Sequence, residues 1–122
     1  MLKILFITDI HQNIKALSKI DFTIYDLVLC GGDLAEPMHF DYSKIKDIVS
    51  ILKKVNAFII PGNCDKDPRV VELINTLNNI DKKIVEFNGE KILGIGYSRS
   101  LRDDAKMYRE YFLEDEKRIF EF

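Results

Sequence analysis

The chain has 122 residues, 47% of them hydrophobic, which is enough for one domain with a core. Eighteen Lys and Arg against 20 Asp and Glu leave a net charge near −2 with interspersed signs, so no extended nucleic-acid surface is expected. Two cysteines, Cys30 and Cys64, show neither zinc-finger spacing nor a paired disulfide pattern, and the opening apolar run is too short for a membrane span or signal peptide; a reducing, cytoplasmic setting without membrane association is expected.

In chain order, residues 2–7 form a first apolar run that ends in Asp9-Ile10-His11, and residues 13–19 are a short helix candidate. Residues 26–30 are a second apolar run, followed by Gly31-Gly32-Asp33; His39 comes next, in a segment read as an exposed loop. From residue 43 to about 55, Ile45, Ile48, Val49, Leu52 and Val55 recur at helical spacing. A third apolar run, residues 57–60, precedes Gly62-Asn63-Cys64-Asp65. All three runs are apolar at nearly every position, the pattern of parallel strands covered on both faces.

Beyond them, Asp67-Pro68 predicts a helix start, with Asp as N-cap, Pro at the first helical position and Val70, Val71, Ile74 and Leu77 as the buried stripe; Asn78-Asn79 is the expected stop. Residues 83–87 and 90–95 flank Asn88-Gly89, a two-residue hairpin signal. Gly94 and Gly96 fit a strand end with close backbone approach better than a phosphate loop, because neither G-x-G-x-x-G nor a Walker lysine accompanies them. Arg99 and Arg102 are solvated surface residues or contacts to a substrate phosphate. In residues 103–122 a helical pattern places Ala105, Tyr108, Tyr111, Phe112, Ile119 and Phe120 on an apolar face.

The element order β-α-β-α-β predicts an α/β fold whose parallel strands open their carboxyl ends onto one edge. Asp9, His11, Asp33 and Asn63 fall just past those ends. Carboxylate, amide oxygen and imidazole suit borderline to hard divalent ions such as Mn²⁺, Fe²⁺ or Zn²⁺. Two such ions about 3.5–4 Å apart can clamp a phosphoryl group, and Asp33 is the natural bridge between them. Gly31, Gly32 and Gly62 allow sharp turns off the strand ends and close approach of a ligand.

These three segments, in this order and each after a strand, resemble the calcineurin-like metallophosphoesterases, whose signature runs D-x-H, then G-D, then G-N-H or G-N-C. The resemblance covers residues 1 to 65 and is nearest to the small phosphodiesterase-like members. It implies the first half of a four-layer α/β/β/α sandwich, with Asp9 and His11 on a first metal, Asp33 bridging and Asn63 on a second. It also implies divalent cofactors, Mn²⁺ foremost with Fe²⁺, Zn²⁺ or Ni²⁺ as alternatives, and a small phosphate-ester substrate. Cys64 stands where the family's usual histidine protonates the leaving group or contacts phosphate, and Asp65 would position substrate or orient its neighbours.

The family completes its site with further histidines from the second half of the fold, whereas this chain contains only His11 and His39. One metal is therefore expected to bind better than two. The length and the apolar pattern running to Phe122 lead to the expectation of an incomplete domain over 1–122. Its helices would gather on one sheet face, and the bare face would drive self-association or pairing with a separate second-half polypeptide. Two functions compete: a metal-dependent phosphoesterase that hydrolyses phosphomonoesters or phosphodiesters through a metal-activated water, and a noncatalytic remnant or subunit that uses the same fold for binding or assembly. A response-regulator receiver is a distant third, because the chain lacks the late lysine after a strand and a receiver would not explain Gly62-Asn63-Cys64-Asp65.

Overall fold

The structure, a computed structural model, describes residues 1–97. Its elements are β1 (Ile4–Ile7), α1 (Ile14–Leu17), a 3-10 turn (Phe22–Ile24), β2 (Leu27–Cys30), α2 (Tyr42–Lys54), β3 (Phe58–Ile59), α3 (Pro68–Ile74), β4 (Asn78–Asn79), β5 (Ile84–Phe87) and β6 (Glu90–Leu93). The first four strands form one parallel sheet in the order β1-β2-β3-β4, and β5 and β6 form an antiparallel hairpin. This is the α/β arrangement with parallel strands that the three apolar runs predict.

The helices form where local chemistry asks for them. At α2, the Asp41 side chain caps the first turn by accepting from the Lys44 N–H at 3.2 Å, and Lys53 and Lys54 complement the carboxyl end. Its stripe of Ile45, Ile48, Val49 and Leu52 is buried. At α3, Asp67 accepts from the Arg69 N–H at 2.9 Å with Pro68 in the first position, as the dipeptide predicts. This helix ends at Ile74, earlier than expected, and Asn78-Asn79 is not its stop signal but β4, paired with β3. The Asn79 amide accounts for the change: it donates to Asn75 Oδ1 at 3.0 Å and accepts from the Asp81 N–H at 3.0 Å, local bonds that compete with helix. The Ile80 N–H then bonds to the Ile59 carbonyl at 2.9 Å and fixes the sheet register.

The core lies between the helices and one face of the sheet. Ile7, Val28, Cys30 and Ile59 meet Leu17, Ile45, Leu52, Val70 and Ile74 there, so the described helices share one side as right-handed crossovers require. The other face is left partly bare, as expected from helices gathered on one side and not as strands covered on both faces would be. Ile4 and Phe6 of β1 are 47% and 62% exposed, because β1 is an edge strand and only its Leu5 and Ile7 side reaches the core. The hairpin shields part of this face, with Phe87 edge-on to Phe58 at 6.3 Å between centroids.

Asn88 and Gly89 both have positive φ, 49° and 82°, the signature of the type I′ turn that their sequence predicts. Close backbone approach at Gly94 is present as well, since a Cβ there would run into the Ile80 carbonyl. A parallel bridge joins Asp81 to Gly94, and the Tyr97 N–H bonds to the Pro61 carbonyl at 2.8 Å, which brings the chain after β6 alongside the end of β3. Arg99, Arg102 and the helical pattern of 103–122 lie outside the described residues. Among those described, no helix is long and apolar enough to cross a membrane.

Ile48 is fully buried and Ile84 is 44% exposed. In urea denaturation, Ile48→Ala is expected to cost about 2–5 kcal/mol and Ile84→Ala under about 1 kcal/mol. Equal losses would contradict this placement of the core.

Candidate metal centre

Beyond the ends of β1 and β2 the two loops remain zipped together. The Gly31 N–H bonds to the Ile7 carbonyl at 2.7 Å, Asp9 to Gly32 at 3.1 Å, His11 to Asp33 at 2.9 Å and Gln12 to Leu34 at 2.8 Å. This backbone is unusual: Asp9, His11, Gln12 and Asp33 have φ of 56°, 43°, 62° and 54°. A left-handed conformation costs an L-residue roughly 1–2 kcal/mol. Such strain persists where surrounding bonds over-determine it, commonly at functional sites. The outcome is convergence of one ligand atom each from Asp9, His11 and Asp33, all within 4.8 Å of one another.

The histidine is oriented by a carbonyl. His11 Nδ1 lies 2.8 Å from the Ala35 oxygen, which can only accept, so Nδ1 carries the proton and the neutral ring presents Nε2 as the lone pair. Nε2 stands 3.4 Å from Asp9 Oδ1. The Ala35 bond is the main cause raising the His11 pKa above its ordinary value, with the Asp33 and Asp9 carboxylates adding to it and burial opposing it. Two carboxylates and one imidazole nitrogen with its other nitrogen already bonded form a donor set that fits a borderline to hard divalent cation.

The third loop supplies the mounting. Asp65 is fully buried; its Oδ2 accepts from the N–H groups of Asp33 at 2.7 Å and Gly62 at 2.8 Å, and its Oδ1 from Leu34 at 2.9 Å and Ala35 at 3.2 Å. Burial pushes its carboxyl pKa up, while the Gly62, Ala35 and Asp33 N–H groups pull it back. Both Asp65 oxygens are thus taken up by backbone N–H groups. The Cys64 N–H donates to Asp33 Oδ1 at 2.9 Å and so fixes that carboxylate from the other side. Glycine at 62 is required because a Cβ would collide with the Asp33 carboxylate, and one at Gly32 would strike Gly62 and Ile60. These glycines therefore serve loop-on-loop packing.

Cys64 is half-buried, and burial followed by the Asp33 and Asp65 carboxylates pushes its thiol pKa up, so it keeps its proton at neutral pH. Asn63 is exposed in the turn that the Asp65 N–H closes on the Gly62 carbonyl at 3.1 Å. His39 is an exposed loop residue, as read from the sequence, and is not in the converging group. A cavity of about 420 Å³ opens beside Asp9, with Phe6, Thr8, Ile10 and Asn13 in its walls. Sequence reasoning passed over Gln12, which is only 7% exposed and bonds through both ends of its amide to the loop of residues 36–41. A single amide beside a histidine has no periodicity or motif to mark it.

An uncharacterized protein of Methanocaldococcus jannaschii is 27% identical over 99 residues, which cover 80% of this chain and 44% of that protein. The chain thus spans less than half the length of that relative. No solved structure matches it. The profile of the calcineurin-like phosphoesterases matches residues 2–120, which include all three converging ligands and the loop that holds them. The chain belongs to the calcineurin-like phosphoesterase family.

Proposed function

We propose that the chain is a metal-dependent phosphoesterase acting on small phosphomonoesters or phosphodiesters, with Asp9, His11 and Asp33 as metal ligands and Asn63 at a second metal position. The convergence of three ligand atoms within 4.8 Å at the carboxyl ends of parallel strands carries this reading. A bound Mn²⁺ or similar ion would polarise a phosphoryl oxygen and acidify its water. His11 offers Nε2 because Ala35 holds Nδ1–H, and Asp33 is held from two sides by Cys64 and Asp65. Cys64, whose N–H holds Asp33, stands in the place of the family's histidine as the proton donor for the leaving group. The second position has only Asp33 and Asn63 to offer, so one ion binds more tightly than the other. Both thiols are free, which suits a cytoplasmic setting.

The direct test is hydrolysis of a chromogenic phosphodiester by the 122-residue chain titrated with Mn²⁺, beside Asp33→Asn. Metal-dependent turnover is expected, and it should vanish in the variant. Mn²⁺ affinity should fall there by more than about 100-fold, beyond the loss typical of an outer-shell partner. Bound Mn²⁺ without turnover would favour the noncatalytic binding reading, and unchanged affinity would refute Asp33 as a ligand.

Metal and proton compete for His11 Nε2. Because the His11 pKa is raised, the ring is protonated at and somewhat above the ordinary histidine value of 6.5, and metal binding must release that proton. Mn²⁺ affinity by calorimetry should therefore weaken about tenfold for each pH unit below that raised pKa and level off above it. The same slope in His11→Gln would contradict the assignment.

A further inference from the structure

We infer that Gln12 is a positioning residue for His11, acting through the peptide unit that joins Ala35 to Glu36. The carbonyl of that unit accepts from His11 Nδ1 at 2.8 Å, and its N–H points to Gln12 Oε1 at 3.5 Å. The same Oε1 takes the Asp41 N–H at 2.9 Å, and Gln12 Nε2 donates to the His39 carbonyl at 2.6 Å. One buried amide thus ties both ends of the loop of residues 36–41 and steadies the single peptide that sets the imidazole's tautomer and direction.

The backbone of Gln12 is also held in place. Its φ of 62° places it in the left-handed region directly after His11, and its N–H is bound to Leu34. Outer-shell partners of this kind typically carry 10- to 100-fold in metal affinity. The inference rests on the metal-site reading of His11.

Two readouts on the full chain test it: Mn²⁺ affinity, and water exchange of the His11 Nδ1–H proton by NMR without metal, assigned by its loss in His11→Gln. Gln12→Ala should weaken Mn²⁺ about tenfold or more and speed the exchange. Should Gln12→Ala fail to fold, Gln12→Met, which fills the volume but cannot replace the amide's bonds, is read the same way. Gln12→Glu still accepts from Asp41 and Glu36 but sets a carboxylate oxygen against the His39 carbonyl, so it should not restore either readout to wild type. Ile48→Val, a comparably mild core change, should move neither. Unchanged exchange in Gln12→Ala would overturn the role. If the wild-type chain binds no Mn²⁺, the metal reading fails, while the exchange measurement still decides the positioning.

Discussion

The carboxylate of Asp65 accepts four backbone N–H groups from two loops, and the geometry around it follows from that bond set. A hydrogen bond to a charged group contributes roughly 1.5–3 kcal/mol. Four of them together offset much of the several kcal/mol needed to bury a carboxylate, and burial still holds its pKa above the ordinary carboxylate value. Three of the donors are consecutive, Asp33, Leu34 and Ala35, so the chain after β2 wraps around Asp65. That wrap sets where Asp33 stands and where the Ala35 carbonyl faces, and hence how His11 is aimed. Gly62 completes the arrangement by donating to Asp65 and leaving room for the Asp33 carboxylate.

The arrangement is costly unless something positive joins it. Asp9 and Asp33 bring like charges to one edge, beside four residues in left-handed backbone. A divalent cation would relieve the repulsion and stabilise the folded state by mass action. The neutral Cys64 thiol fits the same balance, because a thiolate there would add a third negative charge beside Asp33.

Much of this was legible in the sequence where the signal is local. The α2 stripe, the Asp67-Pro68 start and the Asn88-Gly89 turn are short-range patterns, and each formed where expected. Asp9, His11 and Asp33 were legible because strand ends of a parallel sheet share an edge. The two-residue strand β4 carries no period, and its pairing depends on Ile59, some twenty residues away. The half-bare β1 followed from topology rather than from its own residues: the apolar run suggested cover on both faces, while the one-sided crossovers foretold a bare one. The particular backbone partners of Asp65 and Gln12, most of them on other loops, are what no spacing reveals.

Asp65 holds the loops after β2 and β3 together, and the proposed metal site of Asp9, His11 and Asp33 depends on that. Anomalous scattering at the manganese edge, from crystals of the chain grown with Mn²⁺, tests it most directly. A peak is expected between the Asp9 and Asp33 carboxylates and His11 Nε2, with Nδ1 still on the Ala35 carbonyl. No peak there at saturating Mn²⁺, or an ion bound through Nδ1, would contradict it.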